Sequence, residues 1–119
     1  MNTETSVFTR IINRELPATI LYESEQVIVI ENIEPKAPIH YLAIPKHPYV
    51  TVGELVEAPD TAVLLHELFS SLYQLAKERG IAESGYRIIT NNGHDGGQSV
   101  PHLHFHLLGG TSLKDWDTV

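Results

Sequence analysis

Apolar and polar positions alternate most strictly near the end of the chain. The run PHLHFHLL puts His102, His104 and His106 on one face and Leu103, Phe105 and Leu107 on the other. Alternation of this kind predicts a half-buried strand over Pro101–Leu108, because successive strand side chains point to opposite faces. Shorter runs predict strands over Thr19–Glu23, Gln26–Glu31, His40–Ile44 and Tyr86–Asn91, with Ser24-Glu25 a tight turn and Pro45 a stop. The period turns helical twice. Val7, Phe8, Ile11 and Ile12 predict a short helix over Val7–Arg14, with Ser6 placed to cap it and Leu16-Pro17 to end it. A long helix starts at Asp60 or Thr61 as cap, carries an apolar stripe of Leu65, Leu68, Phe69, Leu72 and Ala76, and ends before Gly80. Lys77 and Arg79 suit the dipole of its last turn, and His66, near the stripe, reads as structural or solvated. Asn32–Pro38 reads as a loop, Lys46–Pro59 as mostly irregular and Thr111–Val119 as a tail. Short turns, one long helix and no regular βαβ rhythm predict an α+β fold on a five-stranded antiparallel sheet with one long and one short helix.

Composition narrows the class. The 119 residues favour one domain, and a hydrophobic fraction of 42% supplies a core. A net charge of −7 argues against nucleic acid as a partner, since phosphate backbones need Lys and Arg to neutralise them. The chain has no cysteine, hence no disulfide framework and no thiolate metal site. The start, MNTETSVFTR, is polar and acidic, unlike a signal peptide. No apolar run approaches membrane-spanning length. The expectation is a cytoplasmic protein that binds no membrane.

The candidate chemistry sits between Asn91 and Gly110. Three of the seven histidines stand there at alternate positions, roughly 6.5–7 Å apart along an ideal strand. A polar sheet face carrying histidine by chance is one reading. A metal site is a second, but zinc wants three or four ligands and only Asp95 adds a carboxylate nearby. Nucleophilic catalysis is the third: neutral imidazole, with an ordinary pKa of about 6.5, can take a phosphoryl or nucleotidyl group and pass it to water. Just before the histidines lies Gly93-His94-Asp95-Gly96-Gly97-Gln98-Ser99. Glycine clusters usually only turn the chain, yet such a loop can aim backbone N–H groups at an anion. It lacks the GK[ST] ending of a Walker A motif and leads into a strand. Ser99 and Asn91 add neutral hydrogen bonds for phosphate oxygens. Phe8, Ile11, Ile30, Ile33 and Leu42 are most simply core, although a base-binding pocket uses the same residue types.

VPHLHFHLLGG resembles the histidine-triad signature, His-x-His-x-His followed by two apolar residues. DGGQSV, EPKAPIHYLAIPK and FTRIINRELPA match the same family, so the resemblance runs from about Val7 to Gly110 and implies a single HIT-like domain over 1–119 with a tail from 111. It is closest to the HINT branch, whose members are purine nucleoside phosphoramidases. The resemblance implies hydrolysis of AMP- or GMP-linked amines through a nucleotidyl-histidine. In it His104 is the nucleophile and His106 contacts the phosphate and leaving group. His102 orients the nucleophile and forms a proton-relay arm with His40. Ser99 and Asn91 bind phosphate, with Gln98 and Gly97 beside them. Phe8, Ile11, Ile30, Ile33 and Leu42 line the base pocket and residue 32 faces the ribose. It further implies a homodimer whose sheets join, and chemistry with no metal or other cofactor. Two positions depart from the pattern: Asn32 stands where an acidic residue is usual, and the tail TSLKDWDTV lacks a basic residue often found there. The rival readings are a dinucleoside polyphosphate hydrolase of the same superfamily and a non-catalytic nucleotide-binding or scaffold protein.

Overall fold

Two faces of one sheet are buried, and this sets the architecture. In the computed structural model, which describes residues 6–116, the order is α1 (Val7–Ile12), β1 (Ile20–Glu23), β2 (Val27–Glu31), β3 (Ile39–Pro45), α2 (Val52–Val56), α3 (Thr61–Glu78), β4 (Tyr86–Ile89) and β5 (Phe105–Gly109). The five strands form one antiparallel sheet in the order β1-β2-β3-β5-β4. Val27, Val29, Tyr41, Ala43, Phe105 and Leu107 point to one face and pack with Leu64, Leu68, Leu72, Leu75 and Ala76 of α3. Ile28, Ile30, Leu42 and Ile44 point to the other and pack with Phe8 and Ile11 of α1. Burial on both sides explains why VIVI in β2 reads as a continuous apolar run rather than an alternation. No helix among the described residues is long and apolar enough to cross a membrane.

The elements differ from the sequence expectation at their ends, for local reasons. Ser6 caps α1 as anticipated, its Oγ accepting the Thr9 N–H at 3.1 Å. The helix stops at Ile12 instead of Arg14, because Arg14 takes a left-handed conformation at φ 63°. That turn sends its guanidinium to Glu23, which Lys46 also pairs at 2.7 Å. Lys46–Pro59 is not wholly irregular. Thr51 Oγ1 accepts the Glu54 N–H at 3.2 Å, and the Glu54 carboxylate reaches back to the Val50 N–H at 2.9 Å. This reciprocal cap starts the short helix α2, and T-V-G-E was its signal in the sequence.

In α3 the buried stripe is rotated from the one expected. Leu64, Ser71 and Leu75 are buried with Leu68, Leu72 and Ala76, whereas Phe69 is largely exposed and Leu65 only partly covered. Asp60 makes no capping bond, and the Thr61 hydroxyl is buried with no partner among the described residues. His66 is exposed, in line with a solvated role.

The chain after β5 folds back on itself. Leu113 packs with Ala37 and Leu108, and Trp116 lies against that cluster. The packing of α3 gives a direct check. Leu68→Ala, at the centre of the larger core, is expected to lower unfolding free energy by about 2–5 kcal/mol. Val63→Ala, 67% exposed on the same helix, should change it by no more than about 0.5 kcal/mol. Urea unfolding of the two variants checks this. Similar losses would mean that α3 presents a different face to the sheet.

Candidate active site

Pairing of β3 with β5 assembles the site. Leu42 lies opposite His106, His40 opposite Leu108, and Ile89 of β4 flanks His106 on its other side. His40 and His106, 66 residues apart, therefore share one sheet face with the α1 cluster. The expected row of three exposed imidazoles is not what forms. Strand β5 begins only at Phe105, so His102 and His104 lie in the segment leading into it. His102 is 0% exposed, His104 6%, and only His106 is half-open. The face is apolar rather than polar: Phe8 of α1 packs edge-on against the His104 ring at 4.8 Å and the His102 ring at 6.0 Å. The His104 and His106 ring centroids are 5.0 Å apart.

The hydrogen-bond partners dictate where the ring protons sit. His104 Nδ1 is 2.8 Å from the His102 carbonyl oxygen. A carbonyl only accepts, so Nδ1 carries the proton and Nε2 keeps a free lone pair. His40 Nδ1 accepts the Lys36 backbone N–H at 3.0 Å. Its proton is then on Nε2, which donates to His106 Nδ1 at 2.8 Å. His106 in turn carries its proton on Nε2. The site therefore offers one imidazole lone pair, on His104, next to one imidazole N–H, on His106. The Asn32 amide nitrogen lies 3.2 Å from His40 Nε2, but both groups are donors there, because the Asn32 oxygen accepts the Glu34 N–H at 2.8 Å.

Two expected roles change. His102 and His40 do not form a relay arm. His40 serves His106, while His102 donates from Nε2 to the Pro45 carbonyl at 2.8 Å and accepts at Nδ1 from hydroxyls of α1. His102 meets His104 through its backbone carbonyl. The glycine loop is also less of an anion cradle than expected. Its Gly97 and Gln98 N–H groups close on the His94 and Gly93 carbonyls, and the Gly93 N–H goes to Gln98 Oε1. Gln98 is a staple: its amide nitrogen also donates to the Val50 and Val100 carbonyls. Asn91 ties the loop with a bond to the Gly96 carbonyl at 2.9 Å, keeping its carbonyl oxygen available. A Cβ on Gly96 would fall 2.4 Å from the Asn92 carbonyl oxygen, so only glycine fits there. Ser99 differs from the rest of the loop. It is exposed, and its hydroxyl makes no hydrogen bond among the described residues.

Phe8, Ile11, Ile30 and Leu42 do gather in one buried cluster beside the histidines. Ile33 is not core: it stands 94% exposed in the β2–β3 loop. The contacts of Lys36, Pro45 and Thr9 were not legible in the residue pattern, because two of these act through the backbone and the third through a hydroxyl on a helix whose pattern is apolar. A metal ion fits the donor set poorly. Among the described residues, only Nε2 of His104 and of His106 is uncommitted of the ring nitrogens of His40, His102, His104 and His106, and zinc needs three or four ligands. Among the described residues no group of three or more histidines and carboxylates converges. A recess of about 700 Å³ lies at the far end of β4 and β5, between Tyr86 and Lys114, and touches none of these histidines.

Burial keeps the imidazoles neutral. Desolvation pulls His40, His102 and His104 below the ordinary histidine pKa, and the Lys36 charge pushes His40 further down. For His106, desolvation and then the charges of His104 and His40 bring it to about 4. A histidine with a lower pKa folded than unfolded makes the unfolded chain take up more protons between the two values. Stability is thus complete above about pH 6.5 and is lost as pH falls towards 4. Urea midpoints across this window should drop for the native protein and drop less for His106→Gln. Parallel curves would show that these rings do not titrate as described.

The chain matches the HIT domain over residues 13–113. It is 40% identical over 110 residues to the purine nucleoside phosphoramidase of Escherichia coli K12, covering 92% of this chain and 91% of that one. An uncharacterised HIT-like protein of Synechococcus elongatus is 43% identical, covering 92% and 94% of the two chains. Among solved structures, a HIT family hydrolase of Legionella pneumophila superposes with a TM-score of 0.88 at 35% identity, covering 97% of this chain and 100% of that one. A match over most of the length, at this identity and on the same fold, makes the chain a member of the HIT-domain family, the histidine-triad proteins.

Proposed function

We propose that the protein is a nucleotide hydrolase that cleaves the phosphorus–nitrogen bond of purine nucleoside phosphoramidates through a nucleotidyl-histidine. The observation that carries this is the Nε2 lone pair of His104, fixed by the 2.8 Å bond from Nδ1 to the His102 carbonyl and set beside the Nε2–H of His106. The similarity to a relative named for that activity supports the substrate class. In this reading His104 Nε2 attacks phosphorus and the P–N bond breaks. The leaving nitrogen departs with a proton taken from solvent, and the Nε2–H of His106 hydrogen-bonds it as it leaves. Water then attacks phosphorus, the His104–phosphorus bond breaks, and one proton of that water returns to solvent. Ser99 and Asn91 hydrogen-bond the phosphate oxygens. Gly97 shapes the loop, and Gln98 holds it rather than touching substrate. The Phe8, Ile11, Ile30 and Leu42 cluster borders the base, Ile33 closes over it from the loop, and Asn32 faces the ribose.

His104→Ala is expected to abolish turnover of AMP-linked amines, with a loss on the order of a million-fold, the cost of removing the nucleophile in other covalent enzymes. Wild-type protein quenched in alkali during turnover, where the phosphorus–histidine bond survives, should carry one nucleotidyl group, and the variant none. Near-native turnover in a folded His104→Ala protein would overturn the assignment.

We also propose a homodimer, as the family resemblance implies. Among the described residues, strand β4 leaves one edge unpaired. Phe69 and Tyr73 stand exposed on α3, and the Phe69 ring lies 5.6 Å from Phe105 of the strand next to that edge. A free edge beside exposed aromatics suits pairing with a second copy. Light scattering at micromolar concentration should give twice the chain mass. A monomer mass would refute the dimer without touching the catalytic reading.

A further inference from the structure

His102 is fully buried, yet its ring takes no part in the chemistry proposed above. Every polar atom of that ring is nevertheless satisfied. Nε2 is 2.8 Å from the Pro45 carbonyl, which can only accept, so the proton is on Nε2. Nδ1 must then be an acceptor. Two hydroxyls of α1 reach it, Ser6 Oγ at 3.1 Å and Thr9 Oγ1 at 3.2 Å. The same hydroxyls bond each other at 3.3 Å, with Ser6 donating to Thr9. The Thr9 backbone N–H closes the circuit onto Ser6 Oγ. Two ends of this network have a fixed direction, Thr9 N–H to Ser6 and His102 Nε2–H to Pro45; between them, with Ser6 donating to Thr9, the Thr9 O–H goes to His102 Nδ1. The links between Thr9 and Ser6 are the helix cap, which by itself needs only Ser6. The link from Thr9 to His102 extends that cap into the residue whose carbonyl holds the proposed nucleophile.

We propose that Thr9, backed by Ser6, is a positioning residue for His104: its hydroxyl pins the His102 ring from the α1 side while Pro45 pins it from the β3 side. The peptide carbonyl that receives His104 Nδ1–H is then held in one orientation. This clamp does two things. It keeps the lone pair of His104 on Nε2, because a carbonyl turned away would release Nδ1 and let the ring change tautomer. It also ties the α1 segment that carries Phe8 to the histidines, so the ring packed on His104 and the carbonyl bonded to it belong to one connected unit. The catalytic meaning of the clamp rests on the reading of His104 as nucleophile; the bonding pattern itself does not.

The test uses the full chain with Thr9→Val, which keeps the branched shape and removes the hydroxyl, and Thr9→Ser, which restores it. Thr9→Ala stands in if the valine protein does not fold. With an AMP-linked amine as substrate, Thr9→Val should lower kcat by about three- to tenfold, the range one neutral hydrogen bond commands, with KM changed by less than about twofold. Nitrogen-15 spectra of the imidazoles should show His102 moving from a single Nε2–H form towards a mixture, and the His104 Nδ1–H signal exchanging faster with water. Thr9→Ser should restore kcat and both signatures. A Thr9→Val protein with native imidazole spectra and native kcat overturns the proposal. So does a defect that Thr9→Ser leaves unrepaired, since that would assign Thr9 to packing alone. Wild-type protein that hydrolyses no AMP-linked amine would refute the proposed activity, and the spectra of the Thr9 variants would still decide whether the hydroxyl holds His102.

Discussion

The antiparallel pairing of β3 with β5 is the constraint on which everything else depends. It joins residues about 66 positions apart and places β5 between β3 and the edge strand β4. Because side chains alternate across a strand, a slip of one residue would turn His106 to the α3 face and Leu107 to the site. Register is protected by what that error would bury. Phe105 and Leu107 lie in the core beneath α3, and Leu42 faces His106 from the α1 side. The apolar core thus sets the position of the polar groups, and the His40–His106 bond follows from it.

A second consequence of that geometry is that the polar groups are nearly all spoken for. Desolvation makes an unpaired buried donor or acceptor costly, by about 1–3 kcal/mol. The site meets this by pairing ring nitrogens with backbone groups of fixed character: carbonyls at His102 and Pro45, an N–H at Lys36. Each backbone partner can play only one role, so each fixes a tautomer. What remains uncommitted is small and complementary, a lone pair on His104 and an N–H on His106. The specificity of the site lies in which atoms are left without a partner.

Sequence patterning made the sheet legible because its strands are short, apolar and bounded by turn residues. It also brought out the histidine cluster and the α1 cap. It failed where the signal depended on three-dimensional company. The alternation of His102, His104 and His106 resembles a strand throughout, but the strand starts at Phe105, since Pro101 to His104 is held by other bonds, among them Leu103 N–H to the Tyr49 carbonyl at 2.7 Å. Phe69 counts as apolar by type yet is left largely exposed, while Ser71 is buried because its hydroxyl bonds back to the Leu68 carbonyl at 2.9 Å. Ile33 shared its apolar character with true core residues, and only the path of the β2–β3 loop sets it apart. Helix α2 was readable in T-V-G-E and was hidden by the prolines on either side.

The placement of the histidines in an apolar face has a chemical logic that an exposed row would lack. A nucleophilic imidazole must be unprotonated, and at an ordinary pKa of about 6.5 a solvated ring is protonated to an appreciable extent in mildly acidic water. Burial against Phe8 and the α1 cluster removes that competition, since desolvation penalises the charged form first and foremost. The four rings are therefore held neutral. The same burial separates the two outer histidines of the triad by setting. His106 is half-open at the surface and shares only its Nδ1, with His40. His102 is sealed between α1 and Pro45 with both ring nitrogens engaged, so its ring is held in one place beside the backbone that meets His104.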